Sequence, residues 1–102
     1  MELNTALGRA LRKLRSRRGL SQDDFALVTS RTYISQLERG LKSPTLEKIE
    51  QFAAFMNIHP ASLVIGCYLE RSPDEDLQSL FEKVRIDLAF ELSTSQDVLS
   101  DK

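Results

Sequence analysis

The stretch TSRTYISQLERG, residues 29–40, has the period of a short helix closed by glycine. At about 100° per residue, Ile34, Leu37 and Leu41 fall within about 60° of one another and form an inward stripe. Thr32, Gln36 and Arg39 lie on the opposite side, with Ser35 flanking them. Ser30 or Thr29 caps the start, and Gly40 ends the helix. Such a polar face is either a solvated surface or a surface that reads another molecule.

On the N-terminal side, a first helix is expected from about Thr5 to Arg17. Leu7, Leu11 and Leu14 form its apolar stripe at i, i+4 and i+7, and Gly19 stops it. Ser21 opens a second helix through an S-x-x-D capping box with Asp24. Phe25 and Ala26 are expected inward, Ala26 being small enough for a close helix crossing. On the C-terminal side, Ser43 caps a fourth helix with Pro44 at its first position. Leu46, Ile49, Ala53 and Met56 face inward, and Asn57 closes it. A short fifth helix runs from Pro60 to about Ile65 with Leu63 inward. Gly66-Cys67 through Ser72 reads as a connection.

A last helix then starts at SPDE: Ser72 caps, Pro73 takes the first position and Glu75 completes the box. Its acids complement the positive end of the helix dipole. Leu77, Phe81, Val84 and Leu88 form a stripe at i, i+4, i+7 and i+11, while Ile86 and Phe90 lie off it. The stripe either folds back on its own domain or meets another molecule, and the off-stripe pair favours the second. Residues 93–102 read as a flexible tail.

Residues 20–46, LSQDDFALVTSRTYISQLERGLKSPTL, resemble the helix-turn-helix of Cro/phage-repressor-type regulators, the XRE family. The resemblance rests on Leu20-Ser21-Gln22, Phe25-Ala26, the run Tyr33–Gly40 and Ser43-Pro44-Thr45-Leu46. It covers about residues 5–65. It implies an all-α, lambda-repressor-like five-helix DNA-binding domain at 1–66. The C-terminal amphipathic extension at 67–92 is then a dimerisation candidate, followed by the tail at 93–102. It further implies double-stranded DNA as partner, a homodimer on an inverted-repeat operator, and no cofactor.

A recognition helix must present short or flat polar side chains to base edges in the major groove. Arg31, Thr32, Ser35 and Gln36 hold those places. Arg matches guanine bidentately, Gln matches adenine, and Thr offers a hydroxyl or a methyl. The resemblance places Gln22, Lys42 and Ser43 at phosphates; Arg39 and the Tyr33 hydroxyl are further phosphate candidates, with the Tyr33 ring expected at the core edge. It also pairs Arg15 with Glu38 as a structural link between the first and third helices.

One spacing departs from the family. Ala26 reaches Tyr33 in seven residues, two short of the usual distance, and no glycine lies between Gly19 and Gly40. A left-handed turn residue there would be non-glycine, at a cost of roughly 1–2 kcal/mol. The second helix is therefore expected to end near Leu27, with Val28-Thr29 as the turn.

Bulk properties bound the remaining classes. A chain of 102 residues with 41% hydrophobic and 28% charged residues fits one ordinary globular domain. Net charge is −1, but the distribution is uneven. Residues 1–60 hold ten bases against six acids, and residues 61–102 hold four against nine. A basic front with an acidic back fits a polyanion-binding module carrying an appendage. The single Cys67 excludes an intramolecular disulfide, and one His with one Cys makes a structural zinc site unexpected. No apolar run approaches the roughly 18–20 residues of a membrane span, and MELNTALGRALRKLR has no secretory core. A cytoplasmic location is expected. His59 before Pro60 reads as a cap or surface residue, and Cys67 has no base nearby in sequence, so no enzyme is expected. The alternative to the DNA-reading homodimer is an antitoxin-like regulator whose acidic C-terminal helix binds a protein partner.

Overall fold

The computed structural model describes the backbone of residues 1–100 and the side chains of residues 1–89. Five α-helices follow one another: α1 (Leu3–Arg17), α2 (Arg31–Glu38), α3 (Leu46–Met56), α4 (Pro60–Arg71) and α5 (Leu77–Ser100). A 3-10 helix, Asp23–Leu27, stands between α1 and α2. The fold is all-α among the described residues. Among the described residues no single helix is long and apolar enough to cross a membrane.

The core is assembled around three phenylalanines. Phe25 of the 3-10 helix meets Phe52 of α3 edge-on, with centroids 6.0 Å apart, and lies 4.8 Å from Phe55. Tyr33 of α2 tilts against Phe52 at 6.3 Å. Ala6, Ala10 and Leu11 of α1, Ile34 and Leu37 of α2, Ile49 and Met56 of α3, and Leu63 and Cys67 of α4 complete it. Leu7 and Leu14, expected on the α1 stripe, are half-buried at its edge.

Local chemistry sets most element ends. The Ser21–Asp24 box is present: Asp24 N–H donates to Ser21 Oγ at 3.2 Å, and Ser21 N–H donates to Asp24 Oδ2 at 2.7 Å. The segment it opens is a five-residue 3-10 helix that ends at Leu27. A 3-10 helix rises about 2 Å per residue against about 1.5 Å for an α-helix, so it covers more distance with fewer residues. That geometry absorbs part of the two-residue shortfall. Val28 leaves the helix at φ −120°, ψ −21°, and the turn holds no left-handed residue. Three residues per turn also turn Ala26 about 120° away from inward-facing Phe25. Ala26 is exposed, not inward as its resemblance to the family implied.

Several expectations shift at helix starts and ends. Thr45, not Ser43, caps α3, its Oγ1 accepting from Lys48 N–H at 3.2 Å. Leu46 is then the first residue of α3 and is 79% exposed. Helical side chains lean toward the N-terminus, and there Leu46 leans past the core edge. Phe52, absent from the expected inward set, is fully buried. Leu41, expected on the α2 stripe, is exposed because Gly40 reverses the chain at φ +77°. Asn57 closes α3 in the left-handed region, and His59 caps α4 by accepting from Ala61 N–H at 2.9 Å.

Helix α4 does not end near Ile65. It continues to Arg71, so residues 66–71 of the expected connection are its last turns. Gly66 survives inside it where α4 meets α1, opposite Ala10. Cys67 is buried, and burial pushes its thiol up, partly countered by Arg71. Ser72-Pro73 does not open α5. Glu75 N–H donates to Ser72 O at 3.0 Å and closes a turn, and Asp76 caps α5 by accepting from Ser79 N–H at 2.8 Å. The α5 backbone extends to Ser100 where a tail was expected from residue 93; the side chains of 90–100, Phe90 among them, lie outside the described residues.

Candidate nucleic-acid interface

Ser30 starts α2 by accepting from Tyr33 N–H at 3.1 Å, which fixes Arg31 as the first helical residue. With Ile34 and Leu37 buried, the opposite face of α2 is centred on Thr32 and Arg39. Ser35 and Arg31 flank it on one side and Gln36 on the other. Arg31, Thr32 and Arg39 are exposed, and Ser35 and Gln36 are half-buried.

A concavity of about 360 Å³ runs along this face, lined by Gln22, Arg31, Thr32, Ser35 and Arg39. All five are residues singled out in the sequence, and Gln22 reaches them from the start of the 3-10 helix. Gln36, Tyr33, Lys42 and Ser43 do not line it. Gln36 stands on the far flank of α2, Tyr33 lies half-buried against Phe52, and Lys42 and Ser43 are exposed beyond Gly40.

The end of α2 is fixed from behind. Arg15 donates from Nε to Glu38 Oε2 at 2.6 Å and from Nη2 to Glu38 Oε1 at 2.9 Å. Its Nη1 donates to Leu20 O at 2.8 Å. Hydrogen bonding to Glu38 raises the Arg15 pKa, burial opposes the rise, and the Glu38 charge adds to it. Gln22 Nε2 also donates to Glu38 Oε1, at 3.0 Å. Glu38 therefore ties α1 and Gln22 to α2.

Glycines allow the close approach this requires. A Cβ on Gly8 of α1 would lie 2.5 Å from Leu37 O and 2.6 Å from Glu38 O. Gly40 ends α2 with the paired bonds Gly40 N–H to Leu37 O and Leu41 N–H to Gln36 O, at 3.0 and 2.9 Å.

Three features here escaped the sequence reading. Gly8 carries no local signal, because its role is contact with another helix. The Gln22–Glu38 bond joins residues 16 apart, with no motif linking them. Asp23 Oδ1 lies 3.2 Å from Arg31 Nε, an ion pair across the shortened turn.

The C-terminal stripe is described through residue 89. Leu77, Phe81, Val84 and Leu88 are 45%, 48%, 38% and 47% exposed, and off-stripe Ile86 is 59% exposed. Leu77 and Phe81 border an apolar groove of about 220 Å³ with Ile65 and Leu69 of α4. Within one chain the stripe is only half covered.

A family model described as helix-turn-helix matches residues 11–63, and the chain belongs to that family, of the XRE type. No curated protein sequence matches the chain significantly. Among solved structures, the restriction-modification controller protein C.AhdI from Aeromonas hydrophila is similar at 34% identity and a TM-score of 0.56. That match covers 59% of this chain and 94% of that one. The clp gene regulator ClgR from Corynebacterium glutamicum is similar at 27% identity and a TM-score of 0.64, covering 93% of this chain and 95% of that one. Together with the α2 surface, these make the chain a DNA-binding transcriptional regulator. Both neighbours are regulatory proteins by name, a controller protein and a gene regulator.

Proposed function

We propose that the chain acts in the cytoplasm as a homodimer that reads an inverted-repeat operator, each protomer laying α2 into the major groove. Arg31, Thr32, Ser35 and Gln36 contact base edges. Gln22, Tyr33, Arg39, Lys42 and Ser43 contact the phosphate backbone. The observation that carries this reading is the concavity in which Gln22 joins Arg31, Thr32, Ser35 and Arg39 on the outward face of a buttressed helix. Base contacts specify and phosphate contacts position, so the two groups should respond differently to substitution.

Dimerisation falls to the extension beyond α4. Its half-exposed stripe of Leu77, Phe81, Val84 and Leu88 supports that role. A dimer holds two recognition helices about one helical turn of DNA apart, which favours an inverted repeat.

The test is binding by fluorescence anisotropy to duplex DNA from upstream of the chain's own gene and to a scrambled duplex of equal length. Gln36→Ala is expected to lose discrimination between the two, by roughly 1–3 kcal/mol. Lys42→Ala is expected to weaken both alike. Equal effects from the two substitutions contradict the assignment.

A further inference from the structure

We propose that Asp23 is a positioning residue for base recognition, holding the Arg31 guanidinium by its Nε edge so that the terminal fork is presented to guanine. The inference rests on reading Arg31 as a base contact.

A guanidinium carries one N–H on Nε and four on its two terminal nitrogens. Asp23 Oδ1 lies 3.2 Å from Arg31 Nε, an ion pair on that side of the guanidinium that is not aligned as a hydrogen bond. That choice leaves the terminal pair open, and the pair matches the O6 and N7 acceptors that guanine displays in the major groove. Arg31 is the first residue of α2 and lines the concavity with Thr32 and Ser35, so its fork and their hydroxyls share one space.

The two neighbouring acids have different work. Asp24 is engaged in the box with Ser21, through bonds of 2.7 and 3.2 Å. Asp23 caps no backbone N–H among the described residues, and its one ion-pair partner there is Arg31. A bare carboxylate at this edge repels phosphate and lowers affinity for every DNA sequence. Orienting Arg31 gives it a compensating role: weaker binding overall, sharper choice of base. The pair also crosses the shortened turn, linking the 3-10 helix to the first residue of the reading helix.

Both side chains are largely exposed, at 66% and 73%, so removing the carboxylate leaves the core intact and the effect is modest. The experiment selects bound sequences from a random duplex library with the full chain. It then measures binding to the enriched duplex and to versions with each base replaced. Arg31→Ala is expected to flatten the guanine preference at one position of each half-site, roughly 5- to 150-fold. Asp23→Asn is expected to reduce that same preference by about two- to five-fold while tightening binding to scrambled duplex. In the Arg31→Ala background, Asp23→Asn should leave base preference unchanged.

If Asp23→Asn tightens all duplexes equally, Asp23 is a plain surface anion and the proposal falls. If Arg31→Ala changes no base preference, the assignment of Arg31 falls first and takes the proposal with it. Failure of the parent chain to enrich any sequence overturns the reading as a sequence-specific binder.

Discussion

Glu38 accepts three hydrogen bonds on its two carboxylate oxygens, two from Arg15 and one from Gln22. Its side chain is only 5% exposed and that of Arg15 13%, so neither charge has water as an adequate substitute partner. Glu38→Ala strands the Arg15 guanidinium and is expected to lower stability by about 3 kcal/mol, read as a shift in the urea midpoint at unchanged slope. Glu38→Gln, which keeps one acceptor, should lose less. At this scale the sequence was partly legible. The Ser21–Asp24 box is a local pattern and could be read from four residues. The Arg15–Glu38 link came from a resemblance and is present as a bidentate pair. The bonds of Gln22 to Glu38 and of Asp23 to Arg31 depend on how segments lie in space, so no spacing announces them.

At the scale of elements, the stops were more legible than the starts. Gly19 and Gly40 both take positive φ, at 70° and 77°, a conformation that glycine reaches with no steric cost. Helix starts have several competing caps, which explains two displacements. Thr45 took the place of Ser43, and Asp76 took that of Ser72. The α4 helix ran past Gly66 because burial of Leu63 and Cys67 against α1 outweighs the roughly 1 kcal/mol that glycine costs in a helix. Phe52 was missed because the expected stripe took one residue per turn, Ile49, Ala53 and Met56, and left out Phe52, which lies three residues after Ile49 and beside Ala53 on the same buried face. Gly8 gives the sharpest test of how elements meet. Alanine is the better helix former, yet its Cβ would strike the carbonyls of Leu37 and Glu38. Gly8→Ala is therefore expected to destabilise the fold by about 1–3 kcal/mol in thermal or urea unfolding, and to weaken DNA binding by tilting α2. A neutral or stabilising outcome would mean that α1 and α2 do not approach as described.

For the whole molecule, the charge asymmetry in the sequence corresponds to a division of labour. The basic first sixty residues carry the surface proposed to face DNA, and the acidic remainder carries the part-exposed stripe of α5. Sizing the chain at two concentrations, with and without residues 72–102, should give a dimer that becomes a monomer on truncation. A full-length monomer would instead favour a different protein partner for α5. The fold class was open to sequence reasoning because helix periods and glycine stops are local. The cover of the stripe was not, because no local pattern says what buries an amphipathic face. The central claim, that α2 carries this chain onto DNA through base and phosphate contacts, is tested most directly by one titration. The full chain is titrated by anisotropy against duplex from upstream of its own gene, across a series of salt concentrations. Affinity should exceed that for scrambled duplex and fall linearly on a log–log plot, with a slope set by the number of phosphates neutralised. Affinity that ignores both salt and sequence would contradict the account.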